Sequence, residues 1–295
     1  MRAEVALVVG GSSGIGLASA RELIARGYRV VLMARDADRL TAVANELGAG
    51  TTTAPADLLD AAAVSRAVLA ITAEHGSLDV VVHTAQVMAY GRIEDVPAHI
   101  FDTVVDIAVH GTANLARAVM PVFRSQGHGS LIVVNSLLGH IVVPQMGAYV
   151  TAKWAQLALI RTLQLETRDA PGIHISEVSP GAINTPIYEQ AANYTGREPA
   201  PPPPVLSPVT MARAVVDCIE KPRRHVDVGP ANKIATLGFH LMPRVYGAIV
   251  GPLVQLAVFR GSDVPASDGN VTTAKPGAEG ERGGWSLLAI RRRRS

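Results

Sequence analysis

Short apolar runs alternate with longer stretches of helical period along the first two thirds of the chain. Runs rich in Val, Ile and Leu predict buried β-strands at residues 5–9, 30–34, 80–83, 131–135 and 173–178. Stretches of 3.6-residue period between them predict helices at residues 15–26, 37–47, 61–75, 100–124 and 149–167. Strict alternation of this kind is typical of right-handed βαβ crossovers. The pattern therefore predicts an α/β fold with a single doubly wound parallel sheet and helices on both faces.

The pattern changes after Gly181. Residues 198–208 are rich in proline, which neither a helix nor a central strand tolerates, and predict a stiff loop or a lid. Residues 230–260 are mostly apolar and predict a helical C-terminal extension. Residues 261–295 are rich in small and polar residues without apolar period, which predicts a flexible tail with a basic end. We therefore expect one domain over residues 1–229, followed by the extension and the tail.

Composition narrows the class of protein. Only 18% of the 295 residues are charged and the mean hydropathy is +0.24, which argues against a disordered chain. The net charge of +2 comes from the run Arg291 to Arg294, since 23 basic residues against 25 acidic ones remain without it. No nucleic-acid-binding surface is therefore expected outside that run. The single cysteine, Cys218, excludes a disulfide framework, and its apolar neighbours predict that it packs in the core.

Two observations bear on location. No secretory signal fits the first residues, so we expect a cytoplasmic protein. Residues 234–242 and 245–259 carry almost no charge and allow two interpretations. They could form an interfacial helix pair that makes peripheral membrane contact, or a cap packed over a substrate site. The cap is the favoured interpretation.

A glycine-rich loop follows the first predicted strand and leads directly into a helix. It reads Gly10-Gly11-Ser12-Ser13-Gly14-Ile15-Gly16. Glycines let the chain turn sharply and let its backbone approach a pyrophosphate, which then lies at the positive end of the helix dipole. A tight strand-to-helix connection alone could need the same glycines. Its place in the first βαβ unit favours a dinucleotide-binding site.

The end of the second predicted strand bears on which dinucleotide is bound. The strand ends in Ala34 and Arg35, with no carboxylate to bind the ribose hydroxyls of NAD. A guanidinium can instead bind a 2′-phosphate through two hydrogen bonds. We therefore favour NADP(H) as the cofactor. The alternative is that Arg35 is a solvated residue beside Asp36 at the start of a helix.

A serine, a tyrosine and a lysine follow at fixed spacing. Tyr149 and Lys153 lie one helical turn apart, and Ser136 precedes the tyrosine by thirteen residues at the end of a predicted strand. The chain resembles the short-chain dehydrogenase/reductase (SDR) family over about residues 5–229. The resemblance rests on Gly10, Gly14, Gly16, Ser136, Tyr149, Lys153 and the Pro180-Gly181 pair followed by Thr185.

The resemblance implies a Rossmann-like fold and a role for each matched residue. Tyr149 would be the catalytic acid/base, Lys153 would lower its pKa and hold the nicotinamide ribose, and Ser136 would hydrogen-bond the carbonyl oxygen. Asp57 matches the family's adenine-contacting aspartate. The implied cofactor-binding residues are Gly10, Ser12, Ser13, Gly14, Ile15, Gly16, Arg35, Asp57, Leu58, Ala85, Tyr149, Lys153, Pro180, Gly181, Ile183 and Thr185. No metal site is expected.

The chain departs from the family pattern at three places, one of which is Val9 at the start of the glycine motif, where a threonine is common. The family's Asn-Asn-Ala-Gly stretch is replaced by His83-Thr84-Ala85-Gln86, which keeps only Ala85. Ala108 stands where the family has a catalytic asparagine, thought to anchor a water in the proton relay from the lysine. Neither Asp106 nor His110 replaces it, because each is two residues away, about 200° round the helix.

Two functional hypotheses follow. The first is an NADP(H)-dependent oxidoreductase acting on a carbonyl or a secondary alcohol. The apolar residues between Pro186 and Leu206 favour a hydrophobic substrate over an anionic one. The second is a catalytically impaired dinucleotide-binding scaffold or sensor, as the departures around Ala108 suggest. The resemblance also implies a homodimer or homotetramer formed through the helices predicted at residues 100–124 and 149–167.

Overall fold

The computed structural model describes residues 3–48, 50–259, 261–273 and 279–288. Seven parallel strands form one sheet in the order β3-β2-β1-β4-β6-β7-β9. Their bounds are β1 Val5–Val9, β2 Arg29–Met33, β3 Thr51–Thr53, β4 Val80–His83, β6 Gly129–Val134, β7 Ile173–Pro180 and β9 His225–Val228. Two short strands, β5 Ala89–Tyr90 and β8 Ala192–Asn193, pair separately. The strand order reverses between β1 and β4, which is where doubly wound sheets bind ligands.

Helices cover both faces of the sheet. They are α1 Gly14–Ala25, α2 Ala37–Leu47, α3 Ala61–His75, α4 Ala98–Gln126, α5 Gly147–Glu166, the short α6 Ile187–Gln190 and α7 Pro208–Glu220. One apolar cluster joins the sheet to α3, α4 and α5, through residues such as Val68, Leu115 and Ile160. A second joins it to α1, α2 and α7, through residues such as Leu23 and Met211. The predicted Rossmann-like α/β fold is confirmed.

The predicted strands and helices of the first 180 residues lie within two residues of the observed ones. The pattern did not predict β3, β9 and α7, nor the short elements β5, β8 and α6. Strands β3 and β9 lie at the two edges of the sheet, where half-buried polar residues give no continuous apolar run. We expected no helix within the proline-rich residues 198–208. This is wrong at the last of them, because helix α7 begins at Pro208. Proline is tolerated there because the first helical N–H has no partner in any case. Cys218 is buried within α7, as predicted, and burial raises the pKa of its thiol to about 11.

The C-terminal part of the chain forms two helices and a packed segment. Helices α8 Asn232–Leu241 and α9 Pro243–Ala257 occupy the predicted extension. The expected flexible tail is wrong for residues 261–273 and 279–288, because Val271 and Trp285 are buried among residues of the main domain. The arginine run 291–294 lies outside the described residues. Among the described helices, none is long and apolar enough to cross a membrane.

Candidate active site

Two adjoining cavities open at the carboxyl ends of the strands. The first, of about 220 Å³, is lined by Gly10, Ser12, Ser13, Gly14, Ile15, Gly16, Arg35, Asp57, Leu58, Ala85 and Thr185. The second, of about 520 Å³, is lined by Ile15, Ser136, Tyr149, Lys153, Pro180, Gly181, Ile183 and Thr185. Ile15 and Thr185 belong to both walls. The structure thus brings every predicted site residue to one continuous crevice.

The glycine loop forms a close turn at the start of α1. Gly10 has φ +81° and its N–H donates to the carbonyl of Met33 at 2.8 Å. A side chain on Gly16 would collide with the Gly10 carbonyl and lie 2.7 Å from Thr84 Oγ1. Ser13 precedes α1 without a side-chain cap, and the first turn of the helix carries no acidic residue. The loop therefore fits a phosphate group, which needs close backbone approach and a positive helix end.

The C-terminal segment crosses this loop. The N–H of Gly14 donates to the carbonyl of Gly280 at 2.9 Å, and Glu279 lines the first cavity. Arg39 pairs with Glu279 at 3.1 Å, and Arg21 pairs with Glu281 at 3.2 Å. The segment thus takes up one of the helix-end N–H groups that a phosphate would use. No sequence pattern predicts this contact, because the segment lacks apolar period.

The adenosine end of the first cavity holds the two predicted polar residues. Arg35 is exposed there, two residues after the end of β2. Its neighbour Asp36 caps α2 by accepting the N–H of Arg39 at 2.9 Å. Asp57 faces the same cavity, and its Oδ1 accepts the N–H of Leu59 at 2.9 Å. The first two residues after β2 are thus Ala34 and Arg35, and the Asp36 carboxylate that follows them caps α2. A guanidinium therefore stands at the position that decides between a 2′-phosphate and a 2′-hydroxyl.

Ser136 and Tyr149 lie side by side in the wall of the second cavity. Ser136 follows β6, and its Oγ accepts the N–H of Leu138 at 3.1 Å in a short 3₁₀ turn, Leu137–Gly139. Burial raises the pKa of Tyr149 to about 12, which a hydrogen bond with Ser136 partly offsets. The expected lowering of this pKa includes the positive charge of a bound nicotinamide, which the chain by itself does not supply. A phenol that stays protonated at neutral pH is in the correct state to donate a proton.

Lys153 is almost fully buried beneath Tyr149. Its Nζ lies 5.7 Å from the centre of the Tyr149 ring. It donates to the carbonyl of Val134 at 3.2 Å and to Gln156 Oε1 at 2.8 Å. Burial lowers the pKa of Lys153 to about 7, although the charge of Glu177 acts in the opposite direction. Small changes in the surroundings of this amine will therefore change its charge near neutral pH.

A buried polar network lies beside Ala108, where the resemblance led us to expect an asparagine. Gln156 Nε2 donates to Thr112 Oγ1 at 2.8 Å, and Thr112 Oγ1 donates to the carbonyl of Ala108 at 2.6 Å. His83 Nε2 lies 3.0 Å from the same hydroxyl oxygen. Burial lowers the pKa of His83 to about 3, so its ring is neutral. Sequence reasoning missed Gln156 and Thr112, since they lie on different helices, 44 residues apart.

The walls of the second cavity are mainly apolar. Helices α8 and α9, together termed the cap, lie over the crevice and contribute side chains such as Ile234, Val245 and Leu253. Phe259, just after the cap, contacts Tyr90 edge-on with ring centres 5.6 Å apart. The proline-rich segment adds prolines 202–204. The cap therefore covers the cavity that holds Ser136 and Tyr149.

A buried ionic cluster lies behind Ser136. Glu177 on β7 is fully buried and pairs with His140 and His225, each at 2.8 Å. Ser179 Oγ lies 2.5 Å from the same carboxylate and 3.3 Å from the Ser136 carbonyl. The cluster thus joins β7 to the turn that carries Ser136. Sequence reasoning did not single out any of these residues except Ser136.

The parallel sheet, the glycine loop and the cavity with its serine, tyrosine and lysine define a Rossmann-like protein with a dinucleotide site. The family model of short chain dehydrogenases matches residues 4–194. The chain belongs to the short-chain dehydrogenase/reductase family of oxidoreductases, which confirms the resemblance in the sequence. Several structurally similar proteins have been solved in complex with NAD, NADH, NADP or 5-hydroxy-NADP.

Individual relatives agree with this assignment. The dehydrogenase/reductase SDR family member 7B of Danio rerio is 32% identical over 202 residues, and the chain spans only 65% of its length. An uncharacterised oxidoreductase of Staphylococcus aureus is 31% identical over 76% of this chain and 94% of its own. The alcohol dehydrogenase of Thermococcus sibiricus, complexed with 5-hydroxy-NADP, is 29% identical with a TM-score of 0.66, covering 77% of this chain and 95% of its own. An SDR of Burkholderia phymatum in complex with NAD shares the fold, with 22% identity, a TM-score of 0.74 and coverage of 83% and 95%.

Proposed function

We propose that this protein is an NADP(H)-dependent oxidoreductase that reduces a carbonyl, or oxidises a secondary alcohol, of a hydrophobic substrate. One observation carries the proposal. Ser136, Tyr149 and Lys153 line an apolar cavity of about 520 Å³ that shares a wall with the glycine-loop cavity. Catalytic side chains thus lie between a candidate cofactor site and a candidate substrate site.

The cofactor would be held by the glycine loop, Asp57, Ala85 and the segment from Pro180 to Thr185. Arg35 would bind the 2′-phosphate, since no carboxylate follows β2 directly. The nicotinamide cofactor supplies or accepts the hydride when it is bound. The close approach of the loop backbone supports the binding of a phosphate there. A side chain at Gly10 or Gly16 would lie within 2.7 Å of Thr84 Oγ1.

Three side chains would carry the proton chemistry. Tyr149 donates its phenolic proton to the carbonyl oxygen during reduction, and Ser136 donates a hydrogen bond to that oxygen. The Lys153 ammonium stabilises the phenolate that remains. Burial raises the pKa of Tyr149 to about 12, so at neutral pH the phenol carries the proton that reduction requires.

The test is an activity screen with purified protein. NADPH and NADH are compared against apolar ketones of graded length and small anionic keto acids. We expect turnover with NADPH on apolar ketones, and its loss in Tyr149→Phe. Arg35→Glu should weaken NADPH binding about tenfold or more while leaving NADH binding nearly unchanged. Arg66→Glu, an exposed arginine on α3, is the matched control and should change neither. Preference for keto acids, or equal activity of Tyr149→Phe, would contradict the proposal.

Ala108 favours a second candidate function. A dinucleotide-binding scaffold or sensor needs the cofactor site but not the proton relay, and the family's asparagine is absent here. That candidate predicts tight NADPH binding with no hydride transfer in a single turnover. Binding followed by transfer would exclude it.

Assembly and location stay predictions. We propose a homodimer or homotetramer formed through α4 and α5, to be tested by sedimentation of the purified chain. A cytoplasmic location and peripheral membrane contact through the cap stay predictions as well. Co-sedimentation with vesicles of neutral and of anionic lipid would test the membrane contact.

A further inference from the structure

The surroundings of Lys153 contain a feature that the family resemblance does not supply. An ammonium buried to 1% exposure needs acceptors in place of water. The Val134 carbonyl lies 3.2 Å from Nζ, and Gln156 Oε1 lies closer, at 2.8 Å. Gln156 is itself 1% exposed, so its amide cannot satisfy its own hydrogen bonds with solvent. The contact is therefore a fixed part of the buried structure.

The direction of the Gln156 amide is settled by its neighbours. The hydroxyl proton of Thr112 goes to the Ala108 carbonyl at 2.6 Å, so its oxygen must accept from Gln156 Nε2 at 2.8 Å. The opposite amide orientation would place an NH₂ group against the Lys153 ammonium. Oε1 therefore faces the lysine, and Nε2 faces α4.

The same region holds the site of the missing asparagine. Ala108 is fully buried, and Gln156 Nε2 lies 3.4 Å from its carbonyl. The methyl group of Ala108 makes no polar contact. The Gln156 amide on α5 makes the polar contacts that a side chain on α4 would otherwise make. One amide thus lies between α4 and the catalytic lysine, although its residue differs from the family's.

We propose that Gln156 is the positioning residue for Lys153 and takes the place of the asparagine that Ala108 replaces. Gln156 holds the ammonium beneath Tyr149 and favours its charged form against burial. Thr112 and the neutral His83 fix the amide in turn. The inference rests on the proposed function, in which Lys153 stabilises the ionised tyrosine.

Other groups also face the lysine and must be considered in any pH dependence. They are Tyr149 on the same helix, Glu177 on β7 and His83 on β4. Glu177 favours the charged lysine, and His83 is neutral because burial lowers its pKa to about 3. None of them is substituted in a Gln156 variant. His83 shares the Thr112 hydroxyl with Gln156 but is already neutral, so a change in the lysine pKa is assigned to the amide.

The experiment measures the pKa of Lys153 directly. The chain has only four lysines, Lys153, Lys221, Lys233 and Lys275, so ¹³Cε-lysine NMR gives few signals, and Lys153→Met assigns the one of interest. Gln156→Leu should lower the lysine pKa by about one pH unit or more, because a hydrogen bond to the charged form is lost. Gln156→Glu should raise it, because a carboxylate replaces the amide. The second variant keeps nearly the same shape and tests the inference even where the first fails to fold.

A matched control and kinetics complete the test. Gln164→Leu removes another buried glutamine of α5, whose Nε2 donates to the Ile175 and Arg224 carbonyls, and should leave the Lys153 pKa unchanged. In turnover, Gln156→Leu should lower kcat about tenfold and move the pH at half-maximal kcat together with the lysine pKa.

The outcomes separate the two proposals. An unchanged Lys153 pKa in both Gln156 variants, or the same change in the Gln164 control, would overturn the positioning role. The NMR reading needs no turnover. A wild-type protein that shows the expected pKa changes but transfers no hydride would keep the positioning role and contradict the proposed function.

Discussion

Glu177 offers the sharpest test of how the fold supports the site. Its side chain is fully buried, yet it carries a charge that five donors surround. These donors are Asn135 Nδ2 at 3.2 Å, His140 Nε2 at 2.8 Å, Arg161 Nη2 at 3.3 Å, Ser179 Oγ at 2.5 Å and His225 Nδ1 at 2.8 Å. The perturbation is Glu177→Gln, which keeps the volume and removes the charge.

The expected loss of stability follows from the five donors that contact the Glu177 carboxylate. Burial by itself raises the pKa of Glu177, but hydrogen bonds from His140, His225 and Ser179 outweigh it and hold the pKa well below its usual range. A glutamine turns one acceptor oxygen into an NH₂ group that faces other donors. Removing one partner of a buried ion pair costs about 3–5 kcal/mol, and we expect a loss of unfolding free energy of that size.

The assay is equilibrium urea denaturation at pH 6. Asp169→Asn is the control, because Asp169 pairs with Arg124 at 3.1 Å in an exposed position, with 68% of its side chain accessible. That change should alter the unfolding free energy by less than about 1 kcal/mol. A loss in Glu177→Gln as small as that of the control would refute the reasoning.

The pH dependence gives a second signature. The contribution of Glu177, whose pKa is lowered, is present above about pH 4.3 and is lost as the pH falls towards its folded value. The hydrogen bond with Glu177 raises the pKa of His225, so that contribution is present below about pH 6.5 and is lost as the pH rises through the folded value. The difference in stability between wild type and Glu177→Gln should therefore be largest near pH 5–6 and should narrow at higher pH. A difference that is constant from pH 5 to pH 9 would contradict this assignment.

Three further substitutions have defined outcomes. Gly16→Ala should abolish detectable NADPH binding in a fluorescence titration, because its Cβ would collide with the carbonyl of Gly10; wild-type affinity would contradict the fit of the loop. Gly247 lies in α9, and nothing lies within 4 Å of the Cβ that Gly247→Ala adds. Urea denaturation should show a gain in unfolding free energy of up to about 1 kcal/mol, and a loss would contradict the open space around this position. Trp285→Ala removes a buried side chain and should loosen the C-terminal segment, whose Gly280 carbonyl accepts the N–H of Gly14. NADPH should then bind about fivefold more tightly, which corresponds to about one hydrogen bond. An unchanged Kd for NADPH would show that the segment does not compete with the cofactor for this N–H.

The sequence predicted the central elements of the fold well. Helices at residues 37–47 and 61–75 agree with the observed bounds of α2 and α3, since each begins after an aspartate cap and carries a clear apolar period. The edge strands β3 and β9 could not be predicted in the same way. Their backbone is held by one neighbouring strand each, and their half-buried polar residues leave no apolar signature.

The site residues also fall into two groups: those that local sequence spacing predicts, and those that only tertiary packing brings together. The glycine loop and the pair Tyr149 and Lys153 were readable because their chemistry needs a fixed local spacing. The partners of Lys153 were not, because Gln156 and Thr112 come together only through the packing of α5 on α4. The contact of the C-terminal segment with the glycine loop was missed for a similar reason, since a glycine-rich stretch gives no sign of where it packs.

Hydride transfer in a single turnover tests the central claim most directly. Protein in excess over NADPH is mixed with an apolar ketone, and the loss of NADPH absorbance is followed by stopped flow, with Tyr149→Phe in parallel. We expect one equivalent of NADPH to be consumed by the wild type, and a rate at least a hundredfold lower in the variant, in which the proton donor is missing. NADPH that binds but is not consumed by the wild type, or equal rates in the two proteins, would contradict the claim.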